Sequence, residues 1–392
     1  MKIIHITPSY KPAYIYGGPI MSVARLCEAI VAYDTKVEIE VLTTTANGKK
    51  ELPTPSGATE FVDGVAVTYF KRFTKDHSHF SPALFNNLRL QILGHSKNKS
   101  KRKNKRLIIH IHAWWNLVSI LSCWLAKCYN IPVVLSPRGM VTNYTLGNKN
   151  AGLKSIIHNF IGKKLLKYCH IHATSEKEKE DILRLVNPKS IVVIPNLVNF
   201  PHSQNHKIGS HPSNEKILHL LFLSRIEEKK GLDLLFEALS EFAIKWKLTI
   251  AGSGEKDYVE ALVKNAKNLN LTDRIIWFGQ ANDGEKFKLM AESDLMVLIS
   301  YNENFANVVV ESLSVGTAVL VSKEVGLSDY ILKNELGWVS NLNKNDLKEK
   351  LRLSYFEIEK RNQIRQTAPA KIERDFDPSN LAQKYLEYYT RF

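Results

Sequence analysis

Apolar residues gather in short runs along the first half of the chain: "KIIHIT", "KVEIEVLT", "VAVTYF", "RLIIHIH", "IPVVLS", "HIHATS" and "IVVIP". Each run is rich in β-branched residues and too short for a helix, which predicts buried strands. Between several of them apolar positions recur at helical spacing, over residues 20–32, 117–127, 153–168 and 176–186. Strands alternating with helices predict a parallel sheet covered on both faces. The pattern stops at "NFPHSQNHKIGSHPSNEK" (199–216), which is polar, lacks periodicity and reads as a linker. It then restarts: "ILHLLFLS", a helix over 231–242, "KLTIAG", a helix over 255–268, "RIIWFG", a helix over 283–291, "DLMVLIS", a helix over 308–315, and "TAVLVS". The expected fold class is therefore α/β, with two doubly wound domains, residues 1–198 and 199–375. The terminal "NLAQKYLEYYTRF" reads as an amphipathic helix. Such sheets bind ligands beyond the carboxyl ends of their strands, so two facing sheets predict a site in the cleft between them.

Charge adds a second asymmetry. Residues 1–200 hold 28 Lys and Arg against 12 Asp and Glu, whereas residues 201–392 hold 26 against 27. No acidic residue occurs from 77 to 175, where 15 basic ones do. A field of one sign on one half attracts a polyanion or an anionic membrane surface. The densest run, "KNKSKRKNKR" (97–106), has no interleaved aromatics, so nucleic acid is not an expected partner. The four cysteines, Cys27, Cys123, Cys128 and Cys169, form no C-x-x-C pair and are expected as reduced thiols of a cytosolic protein. "MKIIHITPSY" has too little apolar length for a signal peptide. The uncharged stretch 107–126 carries His110, His112, Asn116, Ser119 and Ser122, and reads as strand, loop and helix rather than a membrane span.

Candidate chemistry centres on "ENFANVVVE" (303–311), where two glutamates bracket a segment otherwise fit for a core. Glu303 falls on the loop after the "DLMVLIS" strand, Asn307 is the expected N-cap, and Glu311 lies about one turn into the helix. Helix-terminal amides hold anions, while carboxylates accept from hydroxyls. "FLSRIEEKKG" adds Arg225 and Lys230 after another strand of the same domain, both suited to a diphosphate. Two cations, two carboxylates and a helix N-terminus predict a sugar joined to a nucleoside diphosphate.

With these motifs the sequence resembles the retaining GT-B glycosyltransferases of family GT4. The likeness extends through "PSYKPAYIYGGP", "HIH" at 110–112, "ATSEKEKEDI", "PNLVN", "AGSGE" and "FGQ". It implies two Rossmann-like domains, an acceptor-binding one at 1–198 and a donor-binding one at 199–375, with a last helix near 376–392 returning to the first. It implies that Arg225 and Lys230 hold the donor diphosphate, that Glu303 contacts the donor sugar, and that Glu311 holds the ribose. Amides of Phe305, Ala306, Asn307 and Val308 would bind sugar or phosphate, and Gly17 and Gly18 would approach the diphosphate. The base would lie near Gly252, Gly254 and Gly279, His112 would sit near the anomeric carbon, and Arg138, Trp114 and Trp115 would face the acceptor. The donor would be a nucleoside-diphosphate sugar, UDP-sugar before GDP-sugar, with no cofactor and no metal. The acceptor would be a glycan or a polyprenyl-diphosphate-linked intermediate of bacterial surface polysaccharide biosynthesis. The enzyme would be cytoplasmic, peripheral on the inner membrane through the basic helix "GLKSIIHNFIGKKLLKY". Alternative classes are a GT-B-fold sugar-nucleotide epimerase, needing no separate acceptor, and a nucleic-acid-binding protein.

The sequence also departs from the family pattern. Ala306 stands where the family has glycine, and binding is expected to survive if its φ stays negative. Leu197 and Asn199 alter the usual turn, and Trp114 and Trp115 either shape the acceptor pocket or simply pack. In both His-x-His pairs the two rings are expected on opposite strand faces, so that neither pair serves one ion. Asp375 and Asp377 of "DFD" are expected to N-cap the last helix.

Overall fold

The structure, a computed structural model, describes residues 1–97, 106–142, 145, 161–201 and 217–392. Most of the run 97–106, the first half of the basic helix expected over 153–168 and most of the linker lie outside the described residues. The chain divides into two compact units, Met1–Leu197 with Pro378–Phe392, and Val198–Asp377.

The first unit is built on an 8-stranded sheet. Its order is Ser190–Val193, His170–Ala173, Val133–Ser136, Leu107–His112, Lys2–Ile6, Glu38–Thr44, Val65–Phe70 and Thr59–Val62. The strands run parallel except the edge strand Thr59–Val62. Leu107–His112 is buried at every position, as a strand covered on both faces must be. One face packs under helices Pro82–Lys97 and Leu117–Cys128, with Leu84, Leu88, Ile92, Val118 and Leu125 in a common core. The other packs under helix Gly18–Tyr33 and the final helix Pro378–Tyr389, which brings Leu381, Ala382, Tyr385, Tyr388 and Tyr389 against Val23, Ala24 and Cys27. The terminal helix thus returns to the N-terminal sheet. All four cysteines are free thiols.

The second unit holds a 6-stranded parallel sheet. Its order is Ile275–Gly279, Trp246–Ala251, Leu218–Leu223, Leu295–Leu298, Ala318–Ser322 and Gly337–Ser340. The third strand, Leu218–Leu223, comes first in the chain, and the chain winds outward from it in both directions. That gives the Rossmann order, with a topological switch point between Leu218–Leu223 and Leu295–Leu298. Helix Ile358–Asp375 runs to Asp375 itself, so Asp375 closes a helix instead of capping the next; its carboxylate meets Tyr330 Oη at 2.8 Å and Lys371 Nζ at 3.2 Å. Among the described residues no helix is long and apolar enough to cross a membrane.

Candidate active site

The switch point of the second unit gathers the predicted charges. Leu218–Leu223 leads into the loop bearing Arg225 and a single 3-10 turn, Glu228–Lys230. Gly231 ends that turn at φ 71°, and a Cβ there would lie 2.0 Å from the Ile299 carbonyl oxygen. Only glycine lets this loop close over the neighbouring strand end. From that end the chain passes through Glu303 into helix Asn307–Ser314. Lys230, buried, meets the Glu303 carboxylate directly. Glu311 receives Lys286 Nζ at 3.0 Å, and Lys286 also reaches Asp283 at 3.3 Å. Arg225 is half-exposed and pairs with Glu227 at 2.6 Å. Each glutamate of the Glu-x7-Glu segment therefore carries its own lysine. Lys286 escapes sequence reasoning because it comes from a different helix, Asp283–Ala291, and no local spacing ties it to Glu311.

The helix start differs from expectation. Ala306, not Asn307, is the N-cap, with φ 69° and ψ 75° and no side-chain cap; Asn307 is the first helical residue. The family glycine is explained by this left-handed conformation, which alanine adopts under strain. The condition that φ stay negative is not met. Phe305 is anchored in the core against Phe376, ring centroids 6.1 Å apart. That anchor orients the backbone of Phe305, Ala306, Asn307 and Val308, and amides of a first turn find no acceptor within the helix.

The glycines expected beside a base have a packing role too. A Cβ on Gly252 would lie 1.9 Å from the Ser224 oxygen, and one on Gly254 would lie 2.2 Å from the Ile226 oxygen. The loops are stitched by Ile226 N–H to Ser253 O at 2.8 Å and Gly252 N–H to Gly279 O at 2.7 Å. They fix the loop that bears Arg225. Gly279, φ 82°, has open space beside it.

In the first unit the strand order reverses between Lys2–Ile6 and Leu107–His112. Gly17, φ 69°, and Gly18 start helix Gly18–Tyr33 nearby in sequence to the first strand. His5 lies opposite His110 in the register, and His110 and His112 share a face, their ring centroids 4.2 Å apart. Residues two apart on a strand point the same way, which corrects the expectation of opposite faces. All three rings, and His172, are buried. Proton positions follow from partners that can act only one way. Arg138 Nη2 donates to His112 Nδ1 at 3.4 Å, so His112 Nε2–H donates to His5 Nδ1 at 2.9 Å. His172 Nε2–H donates to Ile194 O at 2.7 Å. Its Nδ1 therefore accepts from Ser136 Oγ–H at 2.7 Å. Ser136 Oγ in turn accepts from His110 Nε2–H at 2.7 Å, and Tyr389 Oη–H donates to His110 Nδ1 at 2.6 Å. All four imidazoles are neutral. Burial, then Arg138, lowers His5 to about 3; burial holds His110 and His112 well below the ordinary range.

His5, His110 and His112 place nitrogens within 4.8 Å of one another. Their lone pairs are mostly engaged and a guanidinium stands beside them, so the donor set does not suit a cation. Trp114 is fully buried in the core and takes the packing role, while Trp115 Nε1–H donates to Met140 O at 2.5 Å. Glu178, which sequence reasoning passed over, is buried on helix Glu176–Leu183. It accepts from Gly139 N and Thr174 N, each at 2.7 Å, and so holds the Arg138–Gly139 backbone.

Comparison with known proteins accounts for both units. Residues 203–371 match the family model "Glycosyl transferases group 1", and residues 16–200 match "Glycosyltransferase Family 4". An uncharacterized glycosyltransferase of Methanocaldococcus jannaschii is 27% identical over 369 residues, covering 88% of this chain and 87% of that protein. A Campylobacter jejuni N-acetylgalactosamine-N,N'-diacetylbacillosaminyl-diphospho-undecaprenol 4-alpha-N-acetylgalactosaminyltransferase is 24% identical, over 60% of this chain and 65% of that one. Among solved structures, Anabaena HepE in complex with UDP and glucose superposes over 100% of both chains with TM-score 0.73 at 16% identity. WaaG, a glycosyltransferase involved in lipopolysaccharide biosynthesis, gives 0.67 at 16% identity over 98% of each chain. The matched models, the paired Rossmann-like sheets and the Lys–Glu pairs at the switch point lead to one conclusion: the chain belongs to the family 4, group 1 glycosyltransferases and has the GT-B fold.

Proposed function

We propose that the enzyme transfers a sugar, with retention of configuration, from a nucleoside-diphosphate sugar to a glycan or polyprenyl-diphosphate-linked acceptor. UDP-sugar is preferred over GDP-sugar, and the pathway is the assembly of a bacterial surface polysaccharide. The observation that carries this reading is the pair of lysine–glutamate contacts at the switch point, Lys230 with Glu303 and Lys286 with Glu311. Lys230 and Arg225 hold the diphosphate and stabilise its charge as the glycosidic bond breaks. A diphosphate oxygen is a weak base, so its departure needs no protonated carboxyl beside it. Glu303 accepts from sugar hydroxyls, Glu311 accepts from the ribose, and the amides of Phe305, Ala306, Asn307 and Val308 receive phosphate or sugar oxygens. The donor phosphate takes the acceptor's proton. Solved relatives with UDP or UDP-glucose, and the undecaprenol-linked substrate in the Campylobacter enzyme's name, support the donor and acceptor classes.

We further propose that the enzyme works at the cytoplasmic face of the inner membrane, drawn there by its acid-free stretch 77–175. Of the basic helix read as the docking element, Lys154, Ile156, Ile157 and Phe160 lie outside the described residues, while Ile161, Lys163, Lys164 and Lys167 are exposed.

A thermal-shift panel of UDP, GDP and their sugars tests the donor. A ligand at about 100 times its dissociation constant adds roughly 2.7 kcal/mol. The expected result is an upward shift with one nucleoside diphosphate and its sugar. No shift with any member of the panel would overturn the proposal.

A further inference from the structure

Arg138 follows strand Val133–Ser136 in a left-handed conformation, φ 53°, which a residue with a Cβ adopts at a cost. The next residue, Gly139, has φ 75° and is fastened through its N–H to Glu178. The backbone is thus held in a strained shape that aims one guanidinium. Among the described residues that guanidinium has two hydrogen-bond partners, Asn196 Oδ1 at 3.1 Å and His112 Nδ1 at 3.4 Å, and both are neutral. Its Nε–H is sealed from solvent and has no acceptor among the described residues. Among the described residues Arg138 makes no ion pair. Arg72, which is buried, shows the contrast: its Nη2 meets Glu51 at 2.7 Å. Glu178 lies near enough to act on Arg138 through its field, but its oxygens already accept from Gly139 N, Thr174 N and Thr174 Oγ1.

A part-buried guanidinium with no ion pair and one N–H shut away from any acceptor among the described residues is costly to keep. A planar fork of donors in that state suits a phosphate or another oxyanion. The four neighbouring imidazoles are neutral and carry no charge to compete for an anion, and His5 Nε2–H is a second buried donor without a partner among the described residues. We propose that Arg138 is an anion-recognition group of the first unit and takes a phosphate-type group carried by the acceptor. This anion is separate from the donor diphosphate assigned to Arg225 and Lys230. The inference rests on the glycosyltransferase reading. Glu178 is a positioning residue for Arg138, acting through Gly139.

The test uses the full chain labelled with 15N-histidine, with UDP added to saturation and inorganic pyrophosphate as the probe. His112 Nδ1 reports directly, because it accepts from Arg138. A saturable pyrophosphate shift of that nitrogen is expected on top of UDP. Arg138→Lys, which keeps the charge and loses the fork, should weaken it about tenfold. Arg138→Gln should abolish it, with UDP affinity unchanged in both variants. A pyrophosphate shift indifferent to both substitutions, or no shift at all, would overturn the proposal. So would an Arg138-dependent shift produced by UDP alone, which would assign the residue to the donor. If neither UDP nor GDP binds anywhere, the donor reading falls, while the pyrophosphate titration still reads Arg138.

Discussion

Ala306 shows how one residue type carries a measurable strain. A left-handed residue with a Cβ costs about 1–2 kcal/mol, and glycine returns roughly 0.4–1 kcal/mol of that through a freer unfolded chain. Ala306→Gly should therefore stabilise modestly, by at most about 1.6 kcal/mol on this balance, and keep nucleotide affinity; urea denaturation checks it. The two glutamates should separate by function. Glu311→Ala is expected to weaken nucleoside diphosphate binding, while Glu303→Ala leaves binding nearly intact and lowers turnover; titration calorimetry beside initial rates distinguishes them. Lys230→Ala should lower turnover by about 10²–10³, as loss of one oxyanion donor does, and equal activity would remove it from the mechanism. Arg225, Lys230, Glu303 and Glu311 were legible because each stands at a fixed offset from a strand end or helix start. Lys286 and the His5–His112 bond were not, since they join residues that only the folded topology makes neighbours. The backbone angle of Ala306 was equally hidden: nothing in its type announces a positive φ.

At the level of elements, apolar runs marked the central strands because parallel strands are buried on both faces. Narrow helices were harder to see. Pro82–Lys97 buries only Leu84, Leu88 and Ile92, and Ile358–Asp375 buries only Ile364, Ala368 and Ile372 around an internal Pro369. A single row of apolar residues four apart is easily taken for a polar stretch. The returning helix Pro378–Tyr389 does more than cover a face, because Tyr389 supplies the proton that fixes His110 and Tyr385 Oη lies 2.9 Å from His172 Nε2. Tyr389→Phe leaves the buried His110 Nδ1 unsatisfied and should cost about 1–3 kcal/mol. The loss should appear in the stability of the first unit, with nucleoside diphosphate affinity unchanged. A Tyr389→Phe protein as stable as the parent would refute the proton arrangement.

At the scale of the molecule, the histidines with clearly lowered pKa values among the described residues, His5, His79, His110, His112, His170 and His172, all belong to the first unit. Each is neutral when folded and takes a proton once unfolded below its ordinary value near 6.5. The unfolded state then binds more protons, so stability falls as pH falls. For His5 and His172, lowered to about 3, the window runs from about 6.5 down to about 3. Each such histidine can contribute up to about 1.4 kcal/mol per pH unit. Urea midpoints measured from pH 7 to 4 should show the first unit failing first. The charge imbalance makes a separate prediction: the protein should float with anionic vesicles at low salt and be released at high salt. That binding should disappear when Lys163, Lys164 and Lys167 are changed to Glu, and no binding to anionic vesicles at low salt would leave a soluble acceptor. The placement of the final helix also has a consequence for the order in which the molecule is made. Tyr385, Tyr388 and Tyr389 complete a core begun by Ile3 and Val23, so of the two units the one whose synthesis starts earlier is finished later. It must wait, with the seat of that helix uncovered, while the second domain is synthesised and free to fold.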